Sequence, residues 1–179
     1  MNIPFILEKV LTLYAEKEGV VCSGKRFAYS QFGERIFQLS RLLISMGVKK
    51  GDRIAILHRN SHHYLEVYFA AAQIGAILNP LNYRLSPREL DFILTDSGAN
   101  ILIVESVFSE TVSALKGLNN KIAQVIWTGS GAMSDAFETL VYEDAIAGES
   151  PEYFMSPVYS IFFPSMVITL ISGNDRWFD

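Results

Sequence analysis

Short apolar runs alternate with helical patterns through the middle of this chain, and that alternation constrains the fold most. Residues 54–57, 76–78, 101–104 and 124–127 are rich in β-branched and aliphatic side chains, as buried strands are. Between these runs, apolar residues recur at the spacing of an amphipathic helix. Strands that alternate with helices pair in parallel, so the sequence predicts an α/β fold with a mostly parallel sheet.

The N-terminal segment predicts a helix, a hairpin and a second helix. Apolar residues at helical spacing indicate the first helix over residues 4–17. Two short apolar runs on either side of Ser23 and Gly24 indicate a β-hairpin. Ser30 is a suitable N-cap for the next helix, and Gly47 is a suitable residue to end it.

Two later helices have clear end signals. Asn60 and Ser61 precede a helix rich in alanine and aromatic residues, and Gly75 follows it. Ser86 and Glu89 have the spacing of a capping box, in which each side chain accepts a hydrogen bond from the other residue's backbone N–H. We therefore expect the first helix to run from about His62 to Ile74, and the second to begin at Ser86 and to stop near Ser97 and Gly98.

Composition excludes two classes of protein. Half of the 179 residues are hydrophobic and 19% are charged, which indicates a packed core rather than a disordered chain. The formal net charge of −4 argues against a nucleic-acid-binding protein, which needs a basic face to displace counterions. The single cysteine, Cys22, excludes an internal disulfide, so nothing indicates an oxidising compartment and we expect a cytoplasmic protein. We expect Cys22 itself to be a small, buried, apolar side chain.

The C-terminal segment differs in composition from the rest. The change falls near residue 150, so we expect an N-terminal domain over residues 1–150 and an apolar, non-native tail over residues 151–179. Within the tail, residues 153–171 carry no charge and approach the length that spans a bilayer. Two prolines and several hydroxyl side chains interrupt this run, which argues against a membrane span.

The histidines His58, His62 and His63 are the most evident candidates for a metal site. His58 and His62 are four residues apart, but His58 precedes the expected helix cap, so the two are not expected to share a face. Glu66 is the only acidic residue close to them in sequence. We therefore expect surface or packing histidines and no metal.

No other group of residues forms an evident active site. Residues 128–131 read TGSG, but no lysine follows as in a phosphate-binding loop, so we expect a plain connection to a last short helix ending near residue 147. Lys49 and Lys50 indicate a solvated turn. Three aromatic residues at helical spacing are expected in the core: Tyr64, Tyr68 and Phe69. The residues by themselves assign no catalytic group.

Four stretches carry motifs that occur together in one enzyme superfamily. Residues 27–32 read FAYSQF, residues 47–56 read GVKKGDRIAI, residues 70–82 read AAAQIGAILNPLN, and residues 87–90 read PREL. In this order they resemble the N-terminal subdomain of the adenylate-forming superfamily, which includes acyl-CoA synthetases, coumarate-CoA ligases, luciferases and peptide-synthetase adenylation domains. The likeness extends to about residue 150, and its NPLN resembles the acyl- and aryl-CoA synthetase branch.

The resemblance implies an ATP-dependent acid–CoA ligase. Such enzymes convert a carboxylic acid and ATP to an acyl-adenylate and then pass the acyl group to coenzyme A, with Mg²⁺ neutralising phosphate charge. The family's phosphate-binding loop and catalytic lysine lie further along the chain than the matched motifs. We therefore transfer no catalytic or cofactor-binding residue, and expect this chain to be inactive alone and to bind ATP, Mg²⁺ and coenzyme A weakly.

The phosphate-binding loop of the family should begin shortly after residue 155. Ser172 and Gly173 match its Ser-Gly, but residues 174–179, NDRWFD, do not match the remainder of that loop. Read one base later, codons for these residues permit Thr-Thr-Gly-Gly-Leu. We therefore expect that a single-base frameshift near Gly173 ended the reading frame.

Two other functions stay open on the sequence. One is a non-catalytic α/β module that binds a partner subunit, and the other is a membrane-tethered domain that uses residues 153–171. A soluble, discrete oligomer on expression would favour the first, and recovery only in membranes would favour the second.

Overall fold

A computed structural model describes residues 3–154 of the chain except positions 119, 132 and 135. Helices and strands alternate within it as the sequence predicts. In chain order the elements are α1 (Ile3–Tyr14), β1 (Glu18–Cys22), β2 (Lys25–Ala28), α2 (Tyr29–Ser45), β3 (Arg53–Leu57), α3 (His62–Ile74), β4 (Ile77–Pro80), α4 (Pro87–Ser97), β5 (Ile101–Glu105), a 3-10 turn (Ser106–Phe108), α5 (Ser109–Leu115), β6 (Gln124–Thr128), β7 (Glu138–Val141) and α6 (Tyr142–Ala147).

Five strands form one sheet in the order β4-β3-β5-β6-β7, and every neighbouring pair is parallel. This confirms the predicted α/β fold with a parallel sheet. The strands β1 and β2 form a separate antiparallel hairpin, also as predicted. Its turn residues Ser23 and Gly24 have φ of 48° and 79°, in the left-handed region that a two-residue hairpin turn requires.

Helices cover both faces of the sheet because the side chains of each strand alternate between two cores. On β3, Ile54 and Ile56 contribute to one core, and Ala55 and Leu57 contribute to the other. The first core includes residues of α1, α2, α3 and α6, and the second includes residues of α4 and α5. The strand is thus buried along both faces, which explains its continuous apolar sequence.

The helix-end signals of α3 and α4 are confirmed. The Ser61 hydroxyl accepts a hydrogen bond from the N–H of Tyr64 at 3.3 Å, and Gly75 ends α3 with φ of 73°. At the start of α4, the Ser86 N–H donates to Glu89 Oε2 at 2.8 Å, while the Glu89 N–H donates to Ser86 Oγ at 3.4 Å. These caps satisfy backbone donors that a helix start leaves without partners.

The expected start of α2 is wrong. The helix begins at Tyr29 with Ala28 at the cap position, and the N–H of Ala28 donates to the Gln31 side chain at 2.9 Å. Ser30 therefore lies inside the helix, and the Gln31 side-chain oxygen satisfies the N–H of the cap residue, which is the glutamine half of a capping box.

The sequence interpretation also missed β7 and misjudged Cys22. Strand β7 has only four residues, and its first two, Glu138 and Thr139, are exposed, so no apolar alternation marks it. Cys22 is half-buried at the end of β1 rather than buried, because this hairpin strand has one face toward solvent.

Residues 150–154 lie against α2 and α3. Arg41 donates to the carbonyls of Ser150 and Glu152 at 3.1 and 2.7 Å, and Gln73 donates to the carbonyl of Phe154 at 2.9 Å. The rest of the expected tail, including Ser172 and Gly173, lies outside the described residues. Among the residues that are described, no helix is long and apolar enough to cross a bilayer. The alternative membrane segment at 153–171 falls almost wholly outside them.

Replacing Ser86 by alanine should lower the free energy of unfolding by about 1 kcal/mol, the usual effect of removing an N-cap hydroxyl. Ser30→Ala should change it by less than about 0.5 kcal/mol, because the residue lies inside α2 and caps nothing. Urea denaturation followed by circular dichroism measures both changes. Equal losses from the two variants would contradict this placement of the helix starts.

Candidate functional site

The strand order places a crevice at one edge of the sheet. The chain runs from β3 to β4 on one side and then crosses to β5 on the other side of β3. In open parallel sheets, ligands bind at the carboxyl ends of the strands where the order reverses in this way. The residues that come directly after β3, β5 and β6 are therefore the first candidates for a site.

His58 follows β3 and contacts Thr128 at the end of β6. Its Nε2 lies 2.6 Å from Thr128 Oγ1, and its Nδ1 lies 2.6 Å from the carbonyl oxygen of Arg59. Burial lowers the pKa of His58, which favours the neutral ring. The carbonyl can only accept, so Nδ1–H donates to it, and the Thr128 hydroxyl then donates to Nε2.

This contact joins a hydroxyl to a base, but it is closed to a substrate. Thr128 is 1% exposed and His58 is 5% exposed. The Glu105 carboxylate approaches His58 Nδ1 only to 3.6 Å, beyond a hydrogen bond. The three groups thus form a structural contact between strand ends rather than a nucleophile, base and orienting acid.

Arg59 and Glu105 form a second link across the same edge. The Arg59 Nε lies 3.1 and 3.0 Å from the two carboxylate oxygens, and another guanidinium nitrogen also contacts Glu105. The Arg59 N–H donates to the same carboxylate at 3.2 Å. Hydrogen bonding from Arg59 holds the pKa of Glu105 below its usual value. Both groups stay charged and are paired with each other.

The loop of residues 128–131 packs around the hydroxyl of Ser106. The N–H of Gly131 donates to Ser106 Oγ at 3.0 Å. A Cβ atom at Gly129 or Gly131 would lie 2.9 or 2.8 Å from that oxygen, so the small residues are needed for close packing. The Ser106 hydroxyl therefore occupies the space inside this loop in which a phosphate would have to bind.

A second polar cluster lies between α2, α3 and α6. Arg35 donates to Glu66 at 2.6 and 3.1 Å and to Glu143 at 2.8 and 3.0 Å. The Tyr142 hydroxyl donates to Glu66 Oε2 at 2.6 Å. Glu66 is fully buried, and burial raises the pKa of Tyr142 well above its ordinary value. One guanidinium therefore pairs with two carboxylates, of which Glu66 is fully buried and Glu143 is half-exposed.

His62 and His63 lie beside this cluster. His63 Nε2 is 3.0 Å from Glu143 Oε1, and the two imidazole rings are 3.9 Å apart between centroids. The bond to His63 and the pair with Arg35 hold the pKa of Glu143 far below its usual value. Donor atoms of His62, His63 and Glu143 all lie within 4.8 Å of one another, which is compatible with a metal ion.

Glu143 is the residue that sequence reasoning missed. It is 80 positions from His63, and only Glu66 was considered as an acidic neighbour. Recognising β7 would have pointed to Glu143, because it is the second residue of the helix that follows this strand, at the same edge of the sheet. Of the three histidines, His62 and His63 come together with it, and His58 does not join the group.

The other candidates have structural roles. Tyr64, Tyr68 and Phe69 are partly buried against the first core, as predicted. The N–H of Lys49 donates to Asp52 Oδ2 at 2.8 Å, which fixes the turn before β3.

Comparison with known proteins decides the family. The sequence pattern of the AMP-binding enzyme family matches residues 7–156. The chain belongs to this family of AMP-binding enzymes.

Curated members of the family that resemble the chain are named as acid ligases. A feruloyl-CoA synthase of an Amycolatopsis species is 45% identical over 92 residues, which are 51% of this chain and 19% of that protein. A 3-oxocholest-4-en-26-oate–CoA ligase of Rhodococcus rhodochrous is 30% identical over 154 residues, 85% of this chain and 28% of that protein. The chain thus spans less than a third of the length of either relative.

Solved structures share the fold. An anthranilate CoA ligase in complex with anthranoyl-AMP aligns with a TM-score of 0.80 at 24% identity, over 87% of this chain and 30% of that one. A fatty acyl CoA synthetase of Mycobacterium tuberculosis aligns with a TM-score of 0.73 at 24% identity, over 84% of this chain and 29% of that one. The fold is that of the N-terminal domain of adenylate-forming enzymes.

Replacing Arg35 by methionine should destabilise the chain by about 3–5 kcal/mol, because it leaves the buried Glu66 carboxylate without its counter-charge. The double variant Arg35→Met, Glu66→Met should recover part of that loss, since it removes the unpaired charge but leaves the buried Tyr142 hydroxyl without its acceptor. Urea denaturation of the original chain, Arg35→Met, Glu66→Met and the double variant measures the coupling between the two residues. As a control, Arg26→Met breaks an exposed pair with Glu18 and should leave the urea midpoint nearly unchanged. An Arg35→Met loss no larger than this control would contradict the account.

Acid should weaken the fold through His58. Its pKa is lowered by burial, so the unfolded chain binds the proton more tightly, with a pKa of about 6.5. Stability is therefore present above that pH and is lost as the pH falls below it. Burial lowers the pKa of His62 to about 3, which adds to the same trend. Urea midpoints compared between about pH 7.5 and 5.5 should fall less in His58→Gln than in the original chain. An equal fall would show that His58 titrates normally.

Proposed function

We propose that this chain is part of an acid–CoA ligase. Such an enzyme joins a carboxylic acid to the AMP of ATP, releases pyrophosphate, and then transfers the acyl group to coenzyme A. The observation that carries the proposal is the 30% identity to a CoA ligase over 85% of the chain. ATP, Mg²⁺ and coenzyme A are the cofactors of the proposed reaction, and the cytoplasm is its proposed location.

The described residues contribute the scaffold and one wall of the cleft in this proposal. At the carboxyl edge, His58 is paired with Thr128, Arg59 with Glu105, and the interior of the loop after β6 is filled by Ser106. Groups committed to one another in this way stabilise the fold and are not positioned to stabilise a reacting phosphate. We infer that the chain alone does not form an acyl-adenylate.

We propose a carboxylic acid as the substrate class and do not assign a particular acid. Relatives are named for ferulate, for a steroid acid and for long-chain fatty acids. Because relatives named for such different acids all match this chain, the match does not indicate which acid is used. Fatty acid metabolism is therefore one of several roles that the names of the relatives suggest for the proposed ligase.

A segment exchange tests the scaffold role. The aligned segment of the Rhodococcus rhodochrous ligase is replaced by residues 3–154 of this chain, and acid-dependent formation of acyl-CoA is measured with that ligase's own acid. We expect measurable activity, because the fold and the family are shared. The ligase with the segment deleted is the control. A chimera that folds without activity would contradict the proposal.

The isolated chain is tested separately. Acid-dependent exchange of labelled pyrophosphate into ATP is assayed over ferulate, a steroid acid and fatty acids of several lengths. We expect none above background, because His58, Arg59 and Glu105 at the edge are already paired with other groups of the chain. Exchange that depends on any of these acids would overturn the inferred inactivity.

A further inference from the structure

The imidazole of His62 lies buried without polar contacts. The residue is 4% exposed, and neither ring nitrogen has a hydrogen-bond partner among the described residues. Its ring is 5.1 Å from the ring of Phe27 and 3.9 Å from that of His63, between centroids. A buried polar group without a partner costs about 1–3 kcal/mol, so such a residue calls for an explanation.

Two further donors lie beside it. His63 Nε2 and Glu143 Oε1 are 3.0 Å apart, and ligand atoms of His62, His63 and Glu143 all lie within 4.8 Å of each other. The His63 side chain is largely buried, while that of Glu143 is 45% exposed. The two histidines are therefore held in place by burial, while the Glu143 carboxylate is accessible to solvent.

The surrounding charges are compatible with a cation. Arg35 contacts both Glu66 and Glu143, so two carboxylates share one guanidinium. Each carboxylate oxygen has two lone pairs, which allows Glu143 to accept from Arg35 and still bind a metal. Lys25 is the other cation that acts on His62, and it is exposed on the hairpin, where water screens its charge.

We propose that His62, His63 and Glu143 bind a divalent transition-metal ion of the Zn²⁺ class. Two imidazoles and a carboxylate are a ligand set that zinc accepts, with a fourth position left for water. Mg²⁺ prefers oxygen ligands and an octahedron of them, so this site is distinct in its chemistry from the Mg²⁺ that accompanies ATP. The proposal is independent of the proposed ligase function.

The test is a titration of the full chain, purified without a histidine tag. Zn²⁺ binding is measured by calorimetry, and Co²⁺ serves as a probe whose visible absorption reports imidazole and carboxylate ligation. We expect one ion per chain, a Zn²⁺-dependent rise in the thermal midpoint, and no binding of Mg²⁺ at the same concentration. Failure to bind one Zn²⁺ or Co²⁺ per chain would overturn the proposal.

Three variants identify the ligands. Glu143→Gln should weaken Zn²⁺ binding by more than about 100-fold, beyond the loss that an outer-shell partner gives. His62→Phe should abolish it while keeping the fold, because a phenyl ring suits the contact with Phe27. Glu138→Gln removes an exposed carboxylate at the neighbouring strand and should leave the affinity unchanged. If Glu143→Gln does not fold, His62→Phe decides, and unchanged binding in His62→Phe would overturn the proposal.

Discussion

The ion pairs of Arg35 hold together the helices on one face of the sheet. From α2, this guanidinium reaches Glu66 on α3 and Glu143 on α6, across 31 and 108 positions of the sequence. Because Glu66 is fully buried, its charge is stable only when Arg35 and Tyr142 are both in place. The helix α6 has six residues, too few to be stable by themselves, so this contact and the burial of Tyr142 fix its position.

The position of α6 then determines what the carboxyl edge of the sheet can do. It brings Glu143 to His63, and it directs the residues after it onto α2, where Arg41 binds their carbonyls. The neighbouring strand ends are joined by His58 with Thr128 and by Arg59 with Glu105. These pairings tie the ends of β3, β5 and β6 to one another.

Most of the fold could be predicted because its signals are local. The capping box at Ser86 and the left-handed Gly75 lie within a few residues of the helix ends that they specify. The polar clusters could not be predicted in the same way. His58 and Thr128 are 70 positions apart and His63 and Glu143 are 80, and no periodicity in the sequence connects them. The strand β7 would have placed Glu143 at this edge, but it is too short and too exposed to be recognised from its sequence.

We infer that His58, Arg59, Glu105, Ser106 and Thr128 at the carboxyl edge are committed to contacts within the chain and do not bind nucleotide by themselves. Amide NMR spectra of the full chain titrated with MgATP test it most directly. We expect no saturable shifts at residues 58–61, 105–106 and 128–131 up to millimolar concentrations. Saturable shifts confined to those residues would contradict it, because they would show that the edge binds nucleotide without the rest of a ligase.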